Sequence, residues 1–185
     1  MQIKALVAGV VLAATSGAVL AATQGSIGTA VPPAQASSQG DLIINLSIPN
    51  IVRISNLDDI DLGTYAGVDV SGNDDVCVYR NVTGDYSITA ASTNTDAAGT
   101  FKLLHNDGVT DHYIAYSVDW TDGGGTTALT EGLQDTSMSG ASTTSTTCGG
   151  GTNHNVAVTV LATDADAATA TGAYSDTLVL TVESR

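Results

Sequence analysis

The sequence predicts an all-β sandwich, and three observations carry that expectation. Short segments alternate apolar and polar residues, as at 86–90, 113–120 and 156–160, which is the period-2 pattern of half-buried strands. Clusters of Gly, Asn, Asp and Ser separate these segments and read as turns. Beyond residue 22 no stretch sustains a 3.6-residue apolar period, so no long amphipathic helix is expected. A chain of 185 residues suggests one domain with small additions.

The additions lie at the start. Lys4 is followed by an apolar run from Ala5 to Leu20, and Val19-Leu20-Ala21-Ala22 ends it with small residues. This is the layout of a signal peptide, placed at 1–22. A membrane anchor is the competing reading. The run is interrupted by Thr15 and Ser16 and barely reaches the ~18–20 residues of a spanning helix. Residues 23–39 contain Pro32-Pro33 and few large apolar side chains, so they read as a flexible leader.

Export sets the reading of charge and cysteine. Without residues 1–22, four basic residues remain (Arg53, Arg80, Lys102, Arg185) against all 19 acidic ones, and 4 − 19 gives −15. Such a chain is a poor partner for nucleic acid or anionic membrane, and no stable membrane insertion is expected. Cys77 and Cys148 are the two cysteines. In an oxidising compartment a disulfide between them is the default. Free thiols or a metal site are the alternative, which neither a CxxC motif nor histidine spacing supports.

The elements follow in order. At residues 42–48, Leu42, Ile44, Leu46 and Ile48 fall on one face of a strand, with Asn45 and Ser47 on the other. Pro49 punctuates it. Residues 51–54 resume an extended pattern, and 60–65 form a candidate strand after a turn at Asp58-Asp59. A further turn is expected at Asn73-Asp74-Asp75, then a short strand at 76–80 carrying Cys77. Strands are expected at 86–90 and 100–104, with a strong turn at Asn106-Asp107-Gly108. In the strand at 113–120, Ile114, Tyr116, Val118 and Trp120 share a face. Residues 132–152 read as a long loop, with room for a short edge strand, that delivers Cys148. A strand at 156–160 follows. Residues 162–170 suit either a helix or an extended connection. One long strand, 172–182, ends the chain, with Asp176 breaking its apolar face.

Candidate chemistry is sparse. His105, His112 and His154 lack metal-site spacing and any serine elbow, so they read as lone loop histidines. The triple glycines at 123–125 and 149–151 lack the lysine of a phosphate loop. Asp58, Asp59 and Asp61, or Asp74 and Asp75, offer carboxylates without a complete calcium loop. Asp164 and Asp166 form no recognisable acid pair. Asn81-Val82-Thr83 is a sequon by composition. Trp120 reads as core or core edge. No catalytic residue, cofactor or metal is therefore expected. The informative feature is the strand at 42–48, which either pairs within its own domain or is donated to the edge of a neighbour.

Three stretches resemble the pilins of chaperone–usher fimbriae, especially the archaic and alternate classes and the spore coat protein U-like family. GDLIINLSIP at 40–49 is similar to their donor strand. VCVYRNVTGDYSITA at 76–90, with IAYSV at 114–118, is similar to their cysteine strand and a later core strand. GAYSDTLVLTV at 172–182 is similar to their terminal strand. The chain departs from the family in having no cysteine just after residues 40–49, and in its longer leader. The resemblance implies an immunoglobulin-like β-sandwich at 50–185 that lacks one strand, completed by a donor strand at 40–49 from another subunit. It implies Leu42, Ile44, Leu46 and Ile48 as donated residues, and Val179 and Leu180 as groove lining. Its implied partners are copies of the chain or related pilins, a periplasmic chaperone and an outer-membrane usher. Its implied location is extracellular, in a fimbria or on the cell surface, reached through the periplasm. A self-complete secreted sandwich acting as a binding module or adhesin is the alternative.

Overall fold

The computed structural model describes residues 24–30, 34–94 and 99–185. The predicted signal peptide lies outside them, as do residues 23 and 31–33 of the leader. The chain divides into two units, Met1–Ile48 and Pro49–Arg185. The described residues of the first unit contain no helix and no strand beyond a lone bridge position at Asp41.

The second unit is an all-β, immunoglobulin-like sandwich. Its elements are β1 (Val52–Ser55), β2 (Val70–Arg80), β3 (Tyr86–Ser92), β4 (Lys102–Asn106), β5 (Asp111–Ala115), β6 (Ser117–Asp122), β7 (Gly125–Leu129), β8 (Gln134–Met138), a 3₁₀ turn (Cys148–Gly150), β9 (His154–Val160), α1 (Ala162–Asp166) and β10 (Leu178–Ser184). One sheet runs β1-β2-β9-β6-β7 and the other β10-β3-β8, with β4-β5 as a separate hairpin. All these strand pairs are antiparallel. No helix among the described residues is long and apolar enough to cross a membrane.

Alternation builds the core. Val76 and Val78 of β2, Val118 and Trp120 of β6, and Val156, Val158 and Val160 of β9 are buried. Tyr86, Ile88 and Ala90 of β3 and Met138 of β8 meet them within the same cluster. Trp120 is fully buried, and its indole Nε1 donates to the Tyr86 hydroxyl at 3.0 Å. That bond satisfies the one polar atom of a large apolar side chain. His154 stacks on the indole at 5.4 Å. It is a buried strand residue, not the loop histidine its sequence context suggests.

Several boundaries differ from the sequence expectation. The expected turn at Asn73-Asp74-Asp75 is strand: these residues pair with Ala157, Val156 and Asn155. Their carboxylates have partners that make the extended form favourable. Asp74 accepts the Asp58 N–H at 2.9 Å, and Asp75 accepts the Asn155 amide at 2.7 Å. Residues 60–65 form no strand; Ile60 and Leu62 instead pack against the core. Gly72 makes room for them, because a Cβ there would lie 2.6 Å from the Ile60 Cγ2 atom. The expected strand at 113–120 is two strands. Ile114 pairs with Leu103 in the hairpin, whereas Val118 pairs with Val158 and Leu129 in the larger sheet. The chain changes sheets at Tyr116, whose N–H donates to the Phe101 carbonyl at 3.1 Å.

Cys77 and Cys148 form a disulfide with Cα atoms 5.9 Å apart. Cys77 alternates with the core residues Val76 and Val78, so it faces away from the core, yet it is fully buried. The 3₁₀ turn and its disulfide account for this by covering the outer face of β2.

Candidate functional site: an open seam between the sheets

Strand β10 is at the edge of its sheet and, among the described residues, pairs as a strand with β3 alone. On the same flank β1 is the edge of the larger sheet. Along β10, Leu178, Leu180 and Val182 alternate inward, but they are only half-buried. Their neighbours on β3, Ile88 and Ala90, are fully buried. Val52 and Ile54 of β1 are likewise half-buried against the core. An edge strand with half-covered apolar residues presents unpaired N–H and C=O groups beside a hydrophobic strip.

A cleft of about 240 Å³ opens at this flank. Val156, Val158, Tyr116 and Leu103 line it together with Leu178 and Leu180 of β10, and residues 57–62 form the opposite wall. Asn56, with a φ of 62°, turns the chain out of β1 into that wall. Asn56 and Asp58 hold the wall through polar bonds: the Asn56 amide donates to the Gly151 carbonyl at 3.1 Å, and the Asp58 N–H to Asp74. Farther along, the Tyr65 hydroxyl donates to Asp166 at 2.6 Å. That bond is the main reason its pKa is pushed up to about 12.

Asp176 closes one end of the cleft. Its carboxylate accepts the Ser92 and Tyr116 hydroxyls, each at 2.6 Å, the Thr93 hydroxyl at 2.9 Å and the Thr177 N–H at 2.7 Å. Burial opposes its ionisation, but these donors outweigh burial and hold its pKa below the ordinary carboxylate range. Burial pushes the Tyr116 hydroxyl the other way, and the adjacent Asp176 adds to that.

The residues singled out from sequence fall as follows. Leu42, Ile44, Leu46 and Ile48 are 70, 86, 85 and 71% exposed and belong to no strand. Leu180 lines the cleft. Val179 points to the opposite face of β10 and is 46% exposed, because neighbouring residues of a strand cannot share a face. Leu178, Ile60 and Leu62 also line the cleft and are not among the groove-lining residues implied from sequence. Leu178 was legible from the same alternation that gives Leu180. Ile60 and Leu62 alternate about Asp61 and so suggest a strand, but nothing in that pattern shows that they pack as coil into the space left by Gly72.

His105 and His112 face each other across the β4-β5 hairpin, with ring centroids 6.1 Å apart. His112 Nε2 lies 3.1 Å from the Asp107 carboxylate. Backbone N–H donors from Thr110 and Val109, then His112, hold the Asp107 pKa near about 2. Among the described residues no group of three or more His, Cys, Asp or Glu side chains is arranged to hold a metal ion.

No known family model matches the chain, and no curated protein matches it. Among solved structures, it is similar to one described as "Chaperone-tip adhesin complex is vital for synergistic activation of CFA/I fimbriae biogenesis". The identity is 16% and the TM-score 0.49, covering 71% of this chain and 41% of that one. The chain thus spans less than half the length of that protein.

Proposed function

We propose that the protein is a structural subunit of an extracellular bacterial pilus or surface coat, and that it polymerises by donating residues 42–48 to the seam of the next copy. The observation that carries this reading is a match within one chain. Strand β10 offers a seven-residue edge with half-covered apolar residues. Residues 42–48 offer seven residues with an exposed aliphatic at every second position. At ~3.3 Å per residue the two are the same length. Seating the strand in the seam would pair the β10 backbone and bury Leu42, Ile44, Leu46 and Ile48 at once. Each such side chain contributes about 1.5–3 kcal/mol on burial, before the cost of ordering the segment. The contact is head-to-tail and does not close on itself, so it propagates as a fibre.

The same exposed edge is an aggregation hazard before assembly. This supports a periplasmic chaperone that occupies the seam, and an outer-membrane usher that exchanges it for the next subunit. The alternative, a self-complete binding module or adhesin, draws on the wall at 57–62, which already covers part of the cleft.

Deleting residues 23–48 from the mature chain separates the two readings. A synthetic peptide covering residues 40–49 should raise the melting temperature of the truncated protein and bind it stoichiometrically. A truncated protein that is stable alone and indifferent to the peptide, with full-length chains that never polymerise, would overturn the proposal.

A further inference from the structure

Asn81 follows directly after β2, and its backbone N–H and both side-chain polar atoms are turned on one short stretch of chain. Its backbone N–H donates to the Ile51 carbonyl at 3.2 Å. Its side-chain Oδ1 accepts the Ile51 N–H at 2.8 Å, and its Nδ2 donates to the Pro49 carbonyl at 2.7 Å. The antiparallel register Val52↔Arg80 is thereby carried past the end of β1. An asparagine suits this task because one side chain supplies an acceptor and a donor at fixed spacing. Aspartate supplies acceptors only, and alanine neither. Pro49 adds its own restraint, since its ring fixes φ and biases Ile48 toward extended backbone.

We infer that Asn81 is a positioning residue: it clamps residues 49–51 to the sandwich, so that the pivot of the donated segment falls at Ile48–Pro49 rather than inside β1. This rests on the donor-strand reading and deepens it. A pivot at the very root of the donated strand leaves no slack between one subunit and the next. The clamp then governs how stiffly consecutive subunits are joined, not whether they join. It also gives the Asn81-Val82-Thr83 sequence a use that needs no glycan.

The test uses full-length chains carrying Asn81→Asp or Asn81→Ala. Amide hydrogen exchange and ¹⁵N order parameters are read over residues 46–55, and fibre persistence length by electron microscopy. In the unaltered chain the Ile51 amide should be protected, with backbone order falling only N-terminal to Pro49. Asn81→Ala should exchange the Ile51 amide at least about tenfold faster, Asn81→Asp, which keeps an acceptor for it, by less, and in both the boundary of order should move past Pro49. They should still form fibres, but with a shorter persistence length. Unchanged Ile51 exchange in both variants overturns the clamp. Faster exchange with unchanged fibre stiffness overturns its positioning role. If unaltered chains never polymerise, the donor-strand reading falls and the positioning role with it, while Ile51 exchange still decides the clamp.

Discussion

Asp176 receives five hydrogen bonds from four residues, Ser92, Thr93, Tyr116 and Thr177. It ties the chain entering β10 to the end of β3 and to the point where β5 gives way to β6. In the sequence it only interrupts an apolar pattern. Apart from the adjacent Thr177, its partners lie 60 and 83–84 positions away along the chain, so no local signal announces the role. Asp176→Asn keeps the shape, but places an amide N–H₂ against donors. We expect a loss of about 2–3 kcal/mol, since hydrogen bonds to a charged acceptor are lost and buried donors are left unmatched. Urea denaturation at pH 7 measures it. The sign of the pH effect follows from the lowered folded-state pKa. The contribution is complete above the unfolded value of about 4 and is lost as pH falls through the folded one. The variant should therefore lose part of the acid destabilisation that the parent shows below about pH 4.

At the scale of elements, the strands with clean alternation were legible. Residues 86–90, 156–160 and the later half of 172–182 all fall within β3, β9 and β10. What alternation alone misplaced were the polar ends. Asn73-Asp74-Asp75 has turn composition, but it is strand because Asp58 and Asn155 satisfy its carboxylates from elsewhere. The β5/β6 break is invisible because Ile114, Tyr116 and Val118 keep one period across it; only the change of partner strand marks it. The disulfide followed from the expectation of export and from the cysteine count, and the structure forms it. It closes a loop with a sequence separation of 71, worth about 4 kcal/mol by loop-closure entropy. Reduction should lower the melting temperature of the oxidised protein by roughly 10–15 °C, as read by calorimetry with and without reductant. A shift of a degree or two would mean that the reduced chain stays ordered around Cys148 without its covalent link.

For the whole molecule, the sandwich class came from pattern and composition. The open flank did not, because period 2 tells which residues share a face but not which face stays uncovered. Val179 and Leu180 show the limit: alternation puts them on opposite faces, but only the fold makes Leu180 the inward one. The assembly reading makes one sharp demand on the exposed stripe. Ile44→Asp should leave the melting temperature of the subunit unchanged, because Ile44 is exposed. It should weaken subunit addition by at least ~100-fold, since an unpaired carboxylate enters an apolar seam only at a cost of several kcal/mol. Sedimentation of assembled material against free subunits measures this. Polymers of ordinary length from that variant would remove residues 42–48 from the joint.

The placement of β10 has a consequence for the order of events as the chain is made. β10 supplies one wall of the cleft, and its partner β3 lies some 90 positions earlier. A chain that emerges from its N-terminus cannot finish the smaller sheet until β10 has followed β3. Pairings this distant in sequence are slow, on the scale of milliseconds to seconds. The aliphatic stripe at 42–48 thus precedes every strand of the sandwich, and the cleft beside β10 is completed only when β10 arrives. On the donor-strand proposal, a growing chain has no finished seam in which to trap its own residues 42–48, so they remain to be donated when the fold closes.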